Sequence, residues 1–408
     1  MPVDYGDTKF IAGRMYRLGG EAAFELLNTA RLLEKEGRKL VHLQIGEPDF
    51  DTPKKIREKA KWAIDNHDTH YTPSPGKLET REAVAKYYRD HRGYDVTWEN
   101  VCITPGLKPA IFLSLLAVVE EGNEVIYPDP GYPTYASVVN FLGAKPVPMH
   151  LKEEKGFRFD VNELRALVTS KTRGIILNSP ENPTGGVLTK EDNEAIAKLA
   201  IDHDLWVFTD EIYCRLVYDG MKYSSIRDID GMAERVLLAD GHSKIFAMTG
   251  WRLGYVVAPK HIAKALGMLM TNSASCAGSF IQTAGITALL EDQPEIPLMQ
   301  KEFEARRNLI VDMLNDIPGV KCHKPAGAFY VFPNITSFGK KAKEIQDWLL
   351  FGAYDAGLKD QPVNGVALLA GNAFGPYGEG YLRLSYANSR ENIEKALNFM
   401  KEAFKRLK

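Results

Sequence analysis

The sequence predicts an α/β protein with a mostly parallel sheet flanked by helices, joined to a smaller α+β domain. Three observations carry this reading. Short β-rich runs alternate with longer helical stretches between about residues 40 and 260, polar clusters directly follow several of those runs, and the texture changes after about residue 290. Strand and helix in alternation point to a parallel sheet covered on both faces. At 408 residues the chain exceeds what one hydrophobic core usually organises, so two domains are expected.

In chain order the predicted strands are Val41–Ile45, Val101–Thr104, Glu124–Tyr127, Ala144–Pro148, Gly174–Leu177, Leu205–Thr209, Val236–Ala239 and Gly254–Ala258. Between them, Lys190–His203 places Ala195, Ile196, Leu199 and Ala200 at helical spacing. Beyond residue 290 the pattern predicts a charged helix over Lys301–Asn315, strands at Val320–His323 and Ala328–Phe332, and a helix near Ala342–Gly352. Strands at Val366–Leu369 and Tyr381–Ser385 and a last helix from Ser389 complete the chain. Residues 46–290 are therefore assigned to a large domain, and 1–45 with 291–408 to a small one.

Composition narrows the function classes. With 51 Lys and Arg against 53 Asp and Glu, the net charge of −2 supplies no field to attract nucleic acid or an anionic membrane. The longest apolar run, near Ala110 to Val119, is far short of the roughly 20 residues a membrane span needs. Cys102, Cys214, Cys276 and Cys322 form no CxxC pair, which speaks for reduced thiols and against a cysteine metal site. The N-terminal MPVDYGDTKF carries acids and lacks an apolar stretch, so a cytoplasmic protein without a secretory signal is expected.

The polar clusters Gly106–Lys108, Asn178–Gly185, Asp210–Tyr213 and His242–Lys244 each follow a predicted strand. Open α/β sheets bind ligands beyond the carboxyl ends of their strands, so these clusters are expected to share one cleft. Their chemistry is suggestive. A desolvated lysine near another cation, as Lys244 is near Arg252, loses its proton easily and condenses with carbonyls. The planar guanidinium of Arg252 suits phosphate. Asp210 at the end of the apolar strand LWVFTDE needs a partner, and an acid beside a pyridine nitrogen keeps it protonated. Taken singly, each residue also has a structural reading: Lys244 a solvated lysine, Arg252 a surface arginine, Asp210 a helix cap, Ser243 a turn residue and Tyr213 a packed tyrosine.

NSPENPTG at 178–185, TDEIY at 209–213 and SKIFAMTGWRLGY at 243–255, in that order and spacing, resemble the class I/II aminotransferase family of fold-type-I pyridoxal phosphate enzymes, closest to its prokaryotic-type aspartate aminotransferases. The similarity runs from IGEPDFDTP at 45–53 to YLRLSYA at 381–387. The resemblance implies pyridoxal 5'-phosphate held as a Schiff base on Lys244, with Asp210 at its ring nitrogen and Tyr213 and Asn182 at its ring oxygen. It implies Tyr132 of DPGYPTY stacked on the ring, and Arg252, Ser243 and the backbone of Gly106 and Leu107 at the phosphate. Gly241 stands where some branches carry a further phosphate-binding serine.

Tyr71 of HYTPSPG matches a tyrosine that crosses a homodimer interface to the neighbour's phosphate, and Arg383 matches the clamp for the substrate α-carboxylate, with Gly46 beside it. Lys108 of TPGLKPAI matches a lysine that binds the distal carboxylate of aspartate or glutamate in one branch. The expected reaction moves an amino group between an L-amino acid and a 2-oxo acid by a ping-pong route. A β-eliminating lyase shares Lys244, Asp210 and Arg383, and a non-catalytic binding protein on the same fold is a further alternative. A nicotinamide dehydrogenase is disfavoured, because no GxGxxG opens the first strand–helix unit.

Overall fold

The computed structural model describes residues 9–407, so residues 1–8 of the N-terminal segment lie outside the described residues. The described residues include twelve strands. Leu40–His42 is β1, Val101–Thr104 β2, Glu124–Asp129 β3, Lys145–His150 β4, Thr172–Asn178 β5 and Trp206–Asp210 β6. Val236–Gly241 is β7, Gly254–Val257 β8, Tyr330–Val331 β9, Gly365–Ala367 β10, Leu369–Ala370 β11 and Leu382–Ser385 β12.

Seven of them form the principal sheet in the order β2-β8-β7-β6-β5-β3-β4. Neighbours pair in parallel except β8, which runs antiparallel to β2 and β7. The strands are apolar because both faces are covered. Successive residues alternate between two separate cores: Ile175, Val207 and Leu238 enter one, and Ile176, Phe208 and Leu237 the other. Helices fill the crossovers, among them Lys190–Asp202, started by a capping box between Thr189 and Asp192.

The remaining strands form two small sheets, β1 parallel to β10 and the three-stranded β11-β12-β9. Here the structure departs locally from the sequence pattern. The run Val41–Ile45 narrows to β1, Leu40–His42, which pairs with Gly365–Ala367 near the other end of the chain and not with the principal sheet. The long helix begins at Glu295 and not at Lys301, since Pro297 falls within its first turn, where a missing N–H costs nothing. Val320–His323 forms no strand; only Lys321 bridges to Asn334. The helix at Ala342–Asp347 widens into π-helical turns over Trp348–Gly352 and Tyr354–Leu358, interrupted at Gly357 with φ 95°.

Candidate active site

The one antiparallel strand decides what meets at the sheet edge. Parallel strands present their carboxyl ends there, and β8, running the other way, presents its amino end. Gly254 lies between Thr104 and Gly241, so Arg252 arrives beside Gly106 and Lys244. The cleft above this edge has a volume of about 530 Å³ and is lined by Gly46, Leu107, Lys108, Tyr132, Asn182, Asp210, Tyr213, Ser243, Lys244, Arg252 and Arg383. Gly106 adjoins it through Arg252. Tyr71 stands apart from this cleft, 90% exposed.

Lys244 is half-buried, its Nζ donating to the Gly46 carbonyl at 2.6 Å. Burial pushes its pKa down to about 8, with Arg383 and Arg252 adding to the effect and Glu47 and Asp210 opposing it. The rings of Tyr213 and Phe329 lie 5.9 and 5.7 Å from Nζ. Gly46 has no room for a side chain, since a Cβ there would sit 1.8 Å from the Tyr330 hydroxyl.

Asp210, the last residue of β6, is 3% exposed. Its carboxylate accepts from the Tyr135 hydroxyl at 2.8 Å and the Ile212 N–H at 3.2 Å. Burial nevertheless raises its pKa to about 7, against the lowering by those donors and by Lys244. Glu181 is buried nearby; burial and then the charges of Asp210 and Asp129 push its carboxyl well up. Asn178 links Asp210 to Asn182: its Nδ2 donates to the Asp210 carbonyl at 3.0 Å, and its Oδ1 accepts from the Asn182 N–H at 2.9 Å. Tyr213 shares a hydrogen bond with Tyr330 at 2.8 Å.

Arg383, on β12, is buried with neutral partners. Its guanidinium donates to Asn182 Oδ1 at 3.3 Å and to the Gln44 carbonyl, while Nε has no partner. The rings of Tyr330 and Phe374 flank it at 4.7 and 5.0 Å. Burial lowers its pKa. A buried cation with spare donors suits a planar carboxylate.

The donor set fits pyridoxal 5'-phosphate. Gly106, with φ 97°, precedes the helix Leu107–Val118 and leaves its first N–H groups without a side-chain cap. A Cβ at Gly106 would lie 2.4 Å from the Arg252 guanidinium, so backbone and cation form one anion cradle. Arg252 itself adopts the left-handed conformation, φ 56°, a strained backbone common at binding sites. Asp210, buried and without an ion pair among the described residues, matches a protonated ring nitrogen, and Lys244 matches an aldehyde.

Further polar residues to which the sequence motifs assign no role line the cleft, among them Glu21, Tyr135 and Tyr330. Glu21 Oε1 pairs with Lys108 Nζ at 2.6 Å and accepts from the Tyr132 hydroxyl at 2.6 Å. Tyr135 shares the DPGYPTY motif with Tyr132, and Glu21 follows Gly19 and Gly20 in RLGGEAAFELL, whereas Tyr330 stands in no such motif.

A lysine of lowered pKa, a buried acid and an anion cradle at the edge of a helix-flanked sheet define a pyridoxal-phosphate enzyme of fold type I. The chain belongs to the aminotransferase class I and II family, whose model matches residues 38–400. It is 42% identical to aromatic-amino-acid aminotransferase 2 of Thermococcus litoralis over 372 residues, 90% of this chain and 92% of that one. It is 41% identical to an aspartate aminotransferase of Pyrococcus horikoshii over 396 residues, 97% of each. The solved aspartate aminotransferase of Thermus thermophilus with maleate superposes with a TM-score of 0.90 at 34% identity, covering 96% of this chain and 99% of that one. The protein is thus a transaminase that uses pyridoxal 5'-phosphate to move an amino group between an amino acid and a 2-oxo acid.

Proposed function

We propose that Lys244, Asp210 and Tyr213 are the catalytic residues of this transamination and that Arg383 seats the substrate. The observation that carries the reading is Lys244, half-buried at the Gly46 carbonyl in the same cleft as Asp210 and Arg252. When bound, pyridoxal 5'-phosphate supplies an aldehyde carbon and an electron-withdrawing ring. Arg383 takes the α-carboxylate of the donor in its free donors and orients the Cα–H bond toward Lys244. The Lys244 amine, losing its proton near pH 8, accepts the Cα proton and would deliver it to the carbon that the cofactor's aldehyde supplies, so that the amino group leaves the donor as the 2-oxo acid forms. Asp210 holds the proton on the ring nitrogen, and Tyr135 holds Asp210. Tyr213, fixed by Tyr330, and Asn182 serve the ring oxygen. Arg252, Ser243 and the N–H groups of Gly106 and Leu107 would hold the cofactor's phosphate, with Tyr132 on the same cleft wall.

Residues 46–290 serve as the large cofactor-binding domain, and the described residues of 1–45 and 291–408 as the small one. Among the described residues no helix is long and apolar enough to cross a membrane. A cytoplasmic homodimer fits the four free cysteines and the exposed Tyr71, which in this reading completes the neighbouring subunit's phosphate site.

Two measurements test this. Holoenzyme mixed with an amino donor and no acceptor is expected to release one 2-oxo acid per site and stop; continuous pyruvate release from cysteine-type donors would instead favour a β-eliminating lyase. Mixing Tyr71→Ala with Lys244→Ala subunits is expected to yield hybrid dimers with one intact site and to recover activity that neither variant has alone. No recovery would remove Tyr71 from the neighbour's site.

A further inference from the structure

The relatives' names give several different donors, aromatic, acidic and basic among them, so the choice for this chain has to come from its own cleft. On one wall of that cleft stands an ion pair. Glu21 precedes the helix Ala22–Lys35 and reaches across to Lys108 at the start of the helix Leu107–Val118. The Glu21 carboxylate accepts from Lys108 at 2.6 Å, from the Tyr132 hydroxyl at 2.6 Å and from the Thr134 hydroxyl at 3.2 Å. Burial works against its charge, but the hydrogen bonds from Lys108 and Tyr132 outweigh it and hold the carboxyl below its ordinary value. Its charge is also felt at Tyr330 and Arg383, so it stands close to where a substrate is seated.

We infer that Glu21 is a specificity-determining residue that, by pairing with Lys108 in the cleft wall, favours amino donors with uncharged apolar or aromatic side chains over acidic ones. The inference rests on the substrate orientation proposed above, with the α-carboxylate on Arg383. A distal carboxylate entering the cleft meets Lys108 already neutralised, and has either to displace Glu21 from three donors or to lie beside a like charge. An uncharged side chain leaves the pair intact and packs on Phe24, Leu107 and Ile111, which line the same cleft. Phe24 lies 5.5 Å from Lys108 Nζ, so the ammonium is already engaged by an anion and a ring.

The test is the rate of the half-reaction of holoenzyme with glutamate, aspartate, phenylalanine and leucine, each varied in concentration without an acceptor. In the unaltered protein phenylalanine and leucine are expected to be the better donors. Glu21→Gln keeps the size of the side chain and an acceptor for Tyr132 but leaves the Lys108 charge unpaired. It is expected to raise the glutamate-to-phenylalanine ratio of specificity constants by about 10- to 100-fold, the range of one charged hydrogen bond, through half-saturation and not through the limiting rate. Adding Lys108→Met to Glu21→Gln should return the ratio to its starting value, which a merely structural role for Glu21 would not do. A ratio that stays level or falls in Glu21→Gln overturns the inference, and so does a preference of the unaltered protein for glutamate, whether or not the variant folds. Failure with every donor in the unaltered protein would instead count against the catalytic assignment.

Discussion

Lys244→Ala is expected to lower transamination by roughly 10⁴-fold or more, since one side chain supplies both the condensing amine and the proton carrier. Lys244→Arg should not rescue it, because a guanidinium holds its proton and cannot condense with an aldehyde. Borohydride reduction of the holoenzyme followed by peptide mapping should place the adduct on Lys244; an adduct on another lysine would refute the assignment. The loss is expected without a folding defect. Burial pulls the Lys244 pKa from 10.5 to about 8, so between those values the unfolded chain binds more protons than the folded one, and stability rises with pH. Below pH 8 the buried ammonium therefore opposes the fold, and cofactor-free Lys244→Ala should melt no lower than the parent at pH 7. In the parent, reaction of the cofactor-free chain with added aldehyde should quicken as pH rises through 8 and then level off.

Asp210→Asn is expected to cost about 10²–10³ in turnover, the size found when one preorganised charge-stabilising contact is removed. Asparagine keeps the volume and the partner for the Tyr135 hydroxyl, so the change isolates the charge. Tyr213→Phe removes one neutral hydrogen bond and should cost only about 2- to 10-fold. Near-normal turnover in Asp210→Asn, or equal losses in the two variants, would contradict the roles of these two side chains. The pH dependence offers a second readout. With its pKa raised from 3.8 to about 7, Asp210 lends the cofactor-free fold stability that is full below 3.8 and lost as pH rises through 7. At pH 8 cofactor-free Asp210→Asn should therefore melt higher than the parent, yet gain less in Tm when the cofactor is added.

Much of the scaffold was legible because it is written in short-range patterns. The runs Gly174–Leu177, Leu205–Thr209 and Val236–Ala239 read as buried strands and are the core of β5, β6 and β7. Polar clusters placed just after strands gave the position of the cleft, since strand ends and chain direction fix where such residues emerge. Lys244 and Asp210 stand in such clusters, Arg252 follows Lys244 in the same stretch, and Asn182 comes from the resemblance carried by motifs that keep their order in the chain. The irregular segments were less legible. Val320–His323 has the composition of a strand, but strand formation needs a partner edge, and only Lys321 finds one.

What the sequence alone determined, then, is the alternation of elements, the burial of the principal sheet on both faces and the chemistry gathered at its edge. Only the tertiary structure decided how distant segments complete that edge. β8 had to be antiparallel for Arg252 to stand at Gly106, β1 had to leave the principal sheet for Gly365–Ala367, and β9 and β12 had to bring Tyr330 and Arg383 to Lys244's cleft. The pairing of Glu21 with Lys108 is of the same kind. Periodicity encodes which face of an element is buried, but a contact between residues far apart in the chain depends on how whole elements pack, and no local pattern records it.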